Sequence, residues 1–254
     1  MNFALLVGKN DPLSGYFYEY LEKLKLYPSA IIIDKKELSS KDTYIIKKRV
    51  GNLLYTNPIE KLNTRSEIFI VDNHNNLETI NIINNLKIDF LINGGTPRII
   101  KKKLINHLKI GILNAHPGIL PYYRGCSCVE WSILNNHPVG VTVHLMDHAI
   151  DEGNIIEKKV VNVSKCKTYQ EIRTEVYKSS FELISMVSKK ICENKISEDT
   201  FLRQYEGKYW EPMNSMKEKE VIKLVENKKY KYLFKINMND INVDNILNKS
   251  IKLQ

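Results

Sequence analysis

The sequence predicts an α/β protein built on a doubly wound, mostly parallel sheet, with a small C-terminal extension. Three observations carry that expectation. Short apolar runs alternate with helix-spaced segments at βαβ intervals over residues 1–155. Two of the runs end in polar clusters, Asn93-Gly94-Gly95 and Asn114-Ala115-His116-Pro117, and sheets of this kind bind ligands beyond the carboxyl ends of their strands. After Ile156 the alternation gives way to one long helical period and an aromatic-rich turn.

The elements follow in order. Phe3–Val7 reads as a strand and Leu13–Leu26 as the helix after it. Ala30–Ile33 is a second strand bounded by charges; residues 34–66 are polar and mixed, with a helix expected near Lys41–Leu53. Glu67–Val71 is a third strand, Leu77–Leu86 a helix, and Asp89–Ile92 a fourth strand. A short basic helix, Ile99–Leu108, leads into a fifth strand, Gly111–Leu113, which must stop by Pro117 because proline donates no backbone bond. Val139–Met146 and Glu157–Val163 are strand-like, Tyr169–Asn194 has a 3.6-residue period, and a further helix is expected at Met216–Glu226. The tail, 228–254, is rich in Lys and Asn. The expected division is a catalytic domain over 1–197 and an extension over 198–254, for dimerisation or nucleotide contact.

Composition narrows the class. At 254 residues, 43% hydrophobic and 26% charged, the chain reads as an ordinary globular protein. No stretch approaches the ~20 apolar residues of a membrane span, and the opening MNFALLVGKNDP lacks a basic leader, so a cytoplasmic protein with no membrane partner is expected. The net charge of +9 would suit nucleic acid, a polyanionic cofactor or a phosphorylated substrate, but the lysines are scattered, and a dedicated nucleic-acid face is not expected. Cys126, Cys128, Cys166 and Cys192 have neither metal-ligand nor disulfide spacing, and the histidines lack ligand spacing too; no metal is expected.

The chemistry concentrates in residues 111–156. Asn114 and His116 lie two apart at a strand end, so their side chains can enter one crevice. The run Val139–Met146 delivers His144 and Asp147, and the loop after it holds Asp151 and Gly153. An amide, imidazoles and carboxylates thus converge from separate segments. Asn114 could instead cap a turn, and Asp151 could be an ordinary turn residue.

These residues resemble the formyltransferase family that uses 10-formyltetrahydrofolate. The match rests on Asn114-Ala115-His116-Pro117-Gly118-Ile119-Leu120-Pro121, on Tyr123-Arg124-Gly125, on His144, Asp147 and Asp151-Glu152-Gly153-Asn154-Ile155-Ile156, and upstream on Gly95-Thr96-Pro97-Arg98-Ile99-Ile100. It covers about residues 65–160 well. The resemblance implies a Rossmann-like core, a folate formyl donor, and catalysis by Asn114, His116 and Asp151. Formyl transfer to an amine passes through a tetrahedral oxyanion, which an amide donor such as Asn114 can stabilise without changing charge. His116 can be a second donor or take the proton that the amine loses, and Asp151 can hold the imidazole charged or order a relaying water. The segment of Arg98, Ile99 and Ile100 corresponds to the family's pterin-binding backbone, with His144 and Asp147 bordering the same site or simply ordering the loop.

Which amine is formylated rests on the flanks. Glycinamide ribonucleotide formyltransferases hold the substrate phosphate in a Gly-rich loop after the first strand. Here that loop reads Gly8-Lys9-Asn10-Asp11-Pro12-Leu13, and Asp11 would repel a phosphate. The segment after residue 200 looks too short and too helical for the tRNA-binding barrel of methionyl-tRNA formyltransferases. Formyltetrahydrofolate deformylases begin with a regulatory domain. Sugar-nucleotide N-formyltransferases resemble the chain in the Pro121-Tyr122-Tyr123-Arg124-Gly125 turn and in a variable extension, which implies a nucleotide-linked amino sugar, most simply dTDP-linked, for surface polysaccharide synthesis. Tyr122, Tyr123, Arg124 and Trp210 are then the expected substrate contacts, although aromatic residues equally fill cores and dimer interfaces. The alternatives are a phosphoribosylglycinamide formyltransferase of purine synthesis and, from another class, a catalytically silent binding module with the same fold.

Overall fold

The structure, a computed structural model, describes residues 1–54, 57–234, 244, 246 and 247. Most of the tail beyond residue 234 therefore lies outside the described residues. The elements are β1 (Phe3–Lys9), α1 (Ser14–Lys23), β2 (Ala30–Glu37), α2 (Ser40–Val50), β3 (Glu67–Val71), α3 (Leu77–Asn85), β4 (Phe90–Asn93) and α4 (Lys102–Ile105). There follow β5 (Gly111–His116), β6 (Arg124–Gly125), α5 (Cys128–Leu134), β7 (Gly140–Leu145), β8 (Ile155–Val160), α6 (Tyr169–Cys192), β9 (Tyr209–Trp210) and α7 (Ser215–Glu226). The main sheet has the order β3-β2-β1-β4-β5-β7-β8. Its first five strands are parallel, and β7 and β8 are antiparallel additions. This is the doubly wound, mostly parallel architecture that the alternation of elements predicts.

Strand β1 shows why the apolar runs are continuous rather than alternating. Phe3, Leu5 and Val7 face a core shared with Phe17 and Leu21 of α1 and with Val176, Ile184 and Val187 of α6. Ala4 and Leu6 face a second core shared with Ile80 and Ile83 of α3 and Leu104 of α4. A parallel strand covered on both faces needs apolar side chains at every position. Helix α6 is the longest element and is fixed at its start by a capping box between Thr168 and Glu171, a device contributing on the order of 1 kcal/mol. Val221 and Val225 of α7, with Tyr230 and Tyr232, join the first core, so the described part of the extension packs on the same layer as α6. Among the described residues no helix is long and apolar enough to cross a membrane.

Several elements differ from expectation: β2 runs on to Glu37, β8 covers Ile155–Val160 rather than 157–163, and α5, β6 and β9 are added; two further differences bear on the site. The predicted basic helix over 99–108 contracts to Lys102–Ile105, because the Asn75 side chain donates to the Ile99 carbonyl at 3.1 Å and accepts from the Lys101 N–H at 2.7 Å, holding that backbone out of the helix. The expected end of the fifth strand moves three residues on, to His116, immediately before Pro117. Between β1 and β4 the order of connection reverses, so a crevice opens beyond their carboxyl ends. The polar strand ends meet there.

Candidate active site

The antiparallel pairing of β5 with β7 sets Asn114 directly opposite His144. The chain leaves β7 and doubles back so closely that a Cβ on Gly153 would lie 1.9 Å from the Leu145 carbonyl oxygen, a position that only glycine fits. This return carries Asp151 over the strand ends. Its Oδ2 lies 3.3 Å from His116 Nδ1 and accepts from the Gly125 N–H at 2.9 Å; its Oδ1 lies 3.6 Å from His144 Nε2. Asn114, His116 and Asp151 therefore meet, as their types and spacing suggest, and His144 sits among them.

Hydrogen-bond directions define what each group offers. His144 Nδ1 donates to the Leu145 carbonyl at 2.8 Å, leaving Nε2 as an acceptor 3.1 Å from Asn114 Nδ2. Burial, reinforced by the neighbouring His116, pushes this imidazole down to about 4 and keeps it neutral. The other end of the Asn114 amide, Oδ1, accepts from Asn93 Nδ2 at 2.9 Å. The amide is thus oriented from both sides, and one of its two N–H groups is left for a ligand. His116 Nε2 lies 2.6 Å from the Tyr123 carbonyl and Nδ1 faces the Asp151 carboxylate. Both neighbours are acceptors, an arrangement met by a ring that donates from each nitrogen.

A cavity of about 240 Å³ opens beside Asn114, lined among others by Asp11, Asn93, Gly95, Tyr177 and Phe181. Leu38, Ile46 and Thr96 belong both to this cavity and to a wider groove of about 830 Å³ that runs along Lys41, Lys48 and Arg49 of α2 and past Cys126, Ser127 and Pro212. The polar segment 34–66 thus builds one wall of the site.

The expected folate positions lie on another side. Asp34 is fully buried and takes the Arg98 Nε at 3.0 and 3.2 Å, while the Arg98 Nη2 donates to the Asp72 carbonyl. Burial alone would raise the Asp34 carboxyl, but N–H bonds from His74 and Lys36 and the Arg98 guanidinium outweigh it and hold it below its ordinary range. Arg98 is therefore committed to the protein. Ile99 is 89% exposed beside it, Ile100 is buried, and Asp147 bonds to His148 at the surface. What this segment presents to a ligand is backbone and the Ile99 side chain.

The four expected substrate contacts are placed differently. Trp210 stacks on Tyr123 with ring centres 5.3 Å apart, packs against Trp131 at 5.0 Å, and donates its Nε1–H to the Tyr122 carbonyl. Its ring is occupied by the protein's own aromatics, so it is not free to stack on a base. Tyr122 and Tyr123 belong to the same buried cluster, and the buried Arg124 guanidinium bonds to Glu152 and Gln204. None of the four lines the cavity or the groove. Their role here is to order the loop whose Tyr123 carbonyl and Gly125 N–H hold His116 and Asp151.

Asn93 and Asp11 also face the cavity, neither with a site role assigned by the sequence motifs. Asn93 had a signal, its place before a Gly-Gly pair at a strand end. Asp11 had none beyond the unusual loop it sits in.

The sequence model of the formyl transferase family matches residues 47–187, more than half of the chain. A methionyl-tRNA formyltransferase from Clostridium perfringens is 32% identical over 124 residues, covering 48% of this chain and 40% of that protein. The chain spans less than half the length of the curated relatives it matches. The formyltransferase PseJ from Anoxybacillus kamchatkensis, solved in complex with UDP-4,6-dideoxy-4-formamido-L-AltNAc and tetrahydrofolate, superposes with a TM-score of 0.54 at 21% identity, over 92% of this chain and 98% of that one. A phosphoribosylglycinamide formyltransferase from Anaplasma phagocytophilum superposes with a TM-score of 0.58 at 18% identity, over 83% and 99%. At such identities these two likenesses are of fold.

Proposed function

The chain belongs to the formyl transferase family, and on that premise we propose that it moves a formyl group from 10-formyltetrahydrofolate to the primary amine of a nucleotide-linked amino-deoxy sugar. The observation that carries the transfer is the Asn114 amide, clamped between Asn93 and His144 with one N–H left over at the mouth of a cavity. As the amine attacks, the formyl oxygen gains charge. A preorganised N–H there needs no reorientation, and donors of this kind are each worth about 10²–10³ in rate. His116, facing acceptors on both sides, places N–H dipoles close by, and Asp151 holds that ring in register. The folate supplies the formyl carbon; the exposed Ile99 and the backbone that Asn75 holds extended are the surface on which its pterin would rest.

The acceptor class follows from the two connected openings. The Asn114 cavity takes a sugar-sized group, and the groove leading from it carries Lys41 together with Lys48 and Arg49, which stand beside Glu218 and Glu130. A diphosphate there would meet Lys41 and compete with those two carboxylates. Among its described lining residues the inner cavity contains no Lys, Arg or His, which disfavours a phosphate bound there, as glycinamide ribonucleotide would require. A silent binding module has no use for an oriented, unpaired amide N–H beside a paired histidine.

The test is a thermal-shift screen of dTDP, UDP, GDP and glycinamide ribonucleotide, each with and without folinic acid, followed by mass spectrometry of the formylated product. A ligand at about 100 times its Kd adds about 2.7 kcal/mol. A shift with one nucleoside diphosphate and N-formylation of the matching amino sugar is expected. A response to glycinamide ribonucleotide alone overturns the sugar reading, and no formylation of any amine overturns the transfer.

A further inference from the structure

Two ionisable side chains, Asp11 and Tyr177, line the Asn114 cavity and have no part in the transfer described above. Asp11 lies in the loop between β1 and α1 and is 4% exposed. Its backbone carbonyl accepts from the Ser14 N–H and hydroxyl, and its Oδ1 accepts from the Leu13 N–H at 2.8 Å. This turn fixes the carboxyl and leaves Oδ2 over. That oxygen lies against Gly95, where a Cβ would stand 2.6 Å away, so the missing side chain keeps it uncovered. The donors to this carboxyl are backbone N–H groups, of Leu13 and Ser14, and no cationic side chain is among its described partners. Asp11 is also the only carboxyl among the described lining residues of the cavity, whose other walls include Leu13, Phe17, Phe181 and Ile184.

A lone carboxyl in an apolar cavity without a cation of its own calls for one from the ligand. An amine acceptor brings one, since it arrives as an ammonium at neutral pH and must lose a proton before it can attack. His116 is poorly placed to take it, with an acceptor already facing each of its nitrogens. We infer that Asp11 receives the acceptor's ammonium through Oδ2 and takes its first proton, an assignment that rests on the N-formyltransferase reading. An N–H bond of the ammonium breaks and an O–H bond forms on Oδ2; the nitrogen keeps the electron pair, with which it attacks the formyl carbon. The tetrahedral adduct then breaks the bond between that carbon and the folate nitrogen, which leaves with the electron pair and takes up the amine's second proton as tetrahydrofolate. The Asp11 proton passes to water when the neutral formamide leaves.

The surroundings suit the task. Burial raises the Asp11 carboxyl to about 7, against the pull of the Leu13 N–H and with a further push from Glu60, so it exchanges protons in the neutral range. Glu60, on the short 3-10 turn at 59–61, is the charged neighbour, its Oε1 accepting from the Asn10 N–H. From α6 the titratable group in the same cavity is Tyr177. Burial would raise that phenol, but Arg173 and Arg49 outweigh it and lower it.

The experiment compares the full-length wild type with Asp11→Asn, which keeps the Leu13 bond and the shape but cannot accept the proton. Asp11→Ser, which retains an oxygen in the turn, serves if the first variant melts abnormally. Formylation of dTDP- and UDP-linked amino-deoxy sugars is followed as kcat/KM across pH. The wild type should rise as pH climbs through about 7, and the variants should lose about 10²-fold at neutral pH. Their loss should shrink in alkali, where solution supplies the free amine. Variants within about threefold of wild type with the same pH profile overturn the assignment while leaving formyl transfer standing. A wild type that binds folinic acid but formylates neither sugar overturns both.

Discussion

Asp11→Asn should stabilise the unliganded protein, increasingly so as pH rises towards about 7. The folded carboxyl titrates at about 7 and its ordinary value is 3.8. Between those values the native state holds a proton that the unfolded chain has released, so stability falls as pH rises and levels off above about 7. At 1.36 kcal/mol per unit the full deficit approaches about 4 kcal/mol. By about pH 5 roughly a third of it has accrued, so about 2–3 kcal/mol should separate that pH from about 8.5. Asparagine keeps the Leu13 hydrogen bond, carries no charge to bury and removes the repulsion from Glu60. The stability difference between variant and wild type should therefore widen in the variant's favour by ~2–3 kcal/mol from about pH 5 to about 8.5, about 5–10 °C in Tm. Circular-dichroism melts of both proteins at the two pH values measure it. A difference that does not change with pH would refute the reasoning, because it would mean that Asp11 titrates as an exposed carboxylate does.

Other outcomes follow from the same geometry. Asn114→Ala should lower kcat by about 10²–10³ with folinic acid still bound, as equilibrium titration beside steady-state kinetics would reveal; a loss confined to folate binding would remove the oxyanion role. Gly153→Ala puts a Cβ 1.9 Å from the Leu145 carbonyl and must displace the loop that carries Asp151. A fall in kcat of at least about tenfold is expected, more than any loss of stability explains, and unchanged kinetics would show that Asp151 need not be held so closely. Trp210→Ala opens the stack between Tyr123 and Trp131 and should cost ~2–4 kcal/mol in denaturant unfolding. An unaltered melting curve with weakened nucleotide binding would instead return Trp210 to a base-stacking role.

The core of the fold and the centre of the site were legible because each depends on short, contiguous signals. Apolar runs at βαβ spacing fix the parallel strands, and the pair Asn114-x-His116 before Pro117 marks a strand end whatever surrounds it. What was illegible depends on burial. An aromatic such as Trp210 stacks on a base or on its own chain with the same physics, and only its neighbours decide. Asp11 looked like a group that repels phosphate, which needs no burial; its enclosure comes from Gly95 and the cavity walls, contributed by strands and helices far along the chain. The shortening of α4 was hidden for a similar reason, since the Asn75 side chain that holds residues 99–101 belongs to another loop.

The reversal at the edge of the sheet explains how the site is held. Were β7 parallel to β5 like the strands before it, its carboxyl end would lie beside that of β5, and the following loop would run away from the sheet. Antiparallel pairing instead places His144 across from Asn114 and Thr142 across from His116, so the two strands share side chains along their length. His144 then orients the amide from one side, while Asn93, on the parallel neighbour β4, orients it from the other. Asn114 is clamped by a strand of each sense, and both clamps are uncharged at neutral pH, so its free N–H keeps its direction independently of the neighbouring His116 and Asp151. Asp11, by contrast, stands on the far strand of the switch point, beyond β1, where its proton can come and go without disturbing that clamp. On the proposed reading the parallel half of the sheet would carry the group that handles the amine, and the junction with the antiparallel half the groups that stabilise the oxyanion.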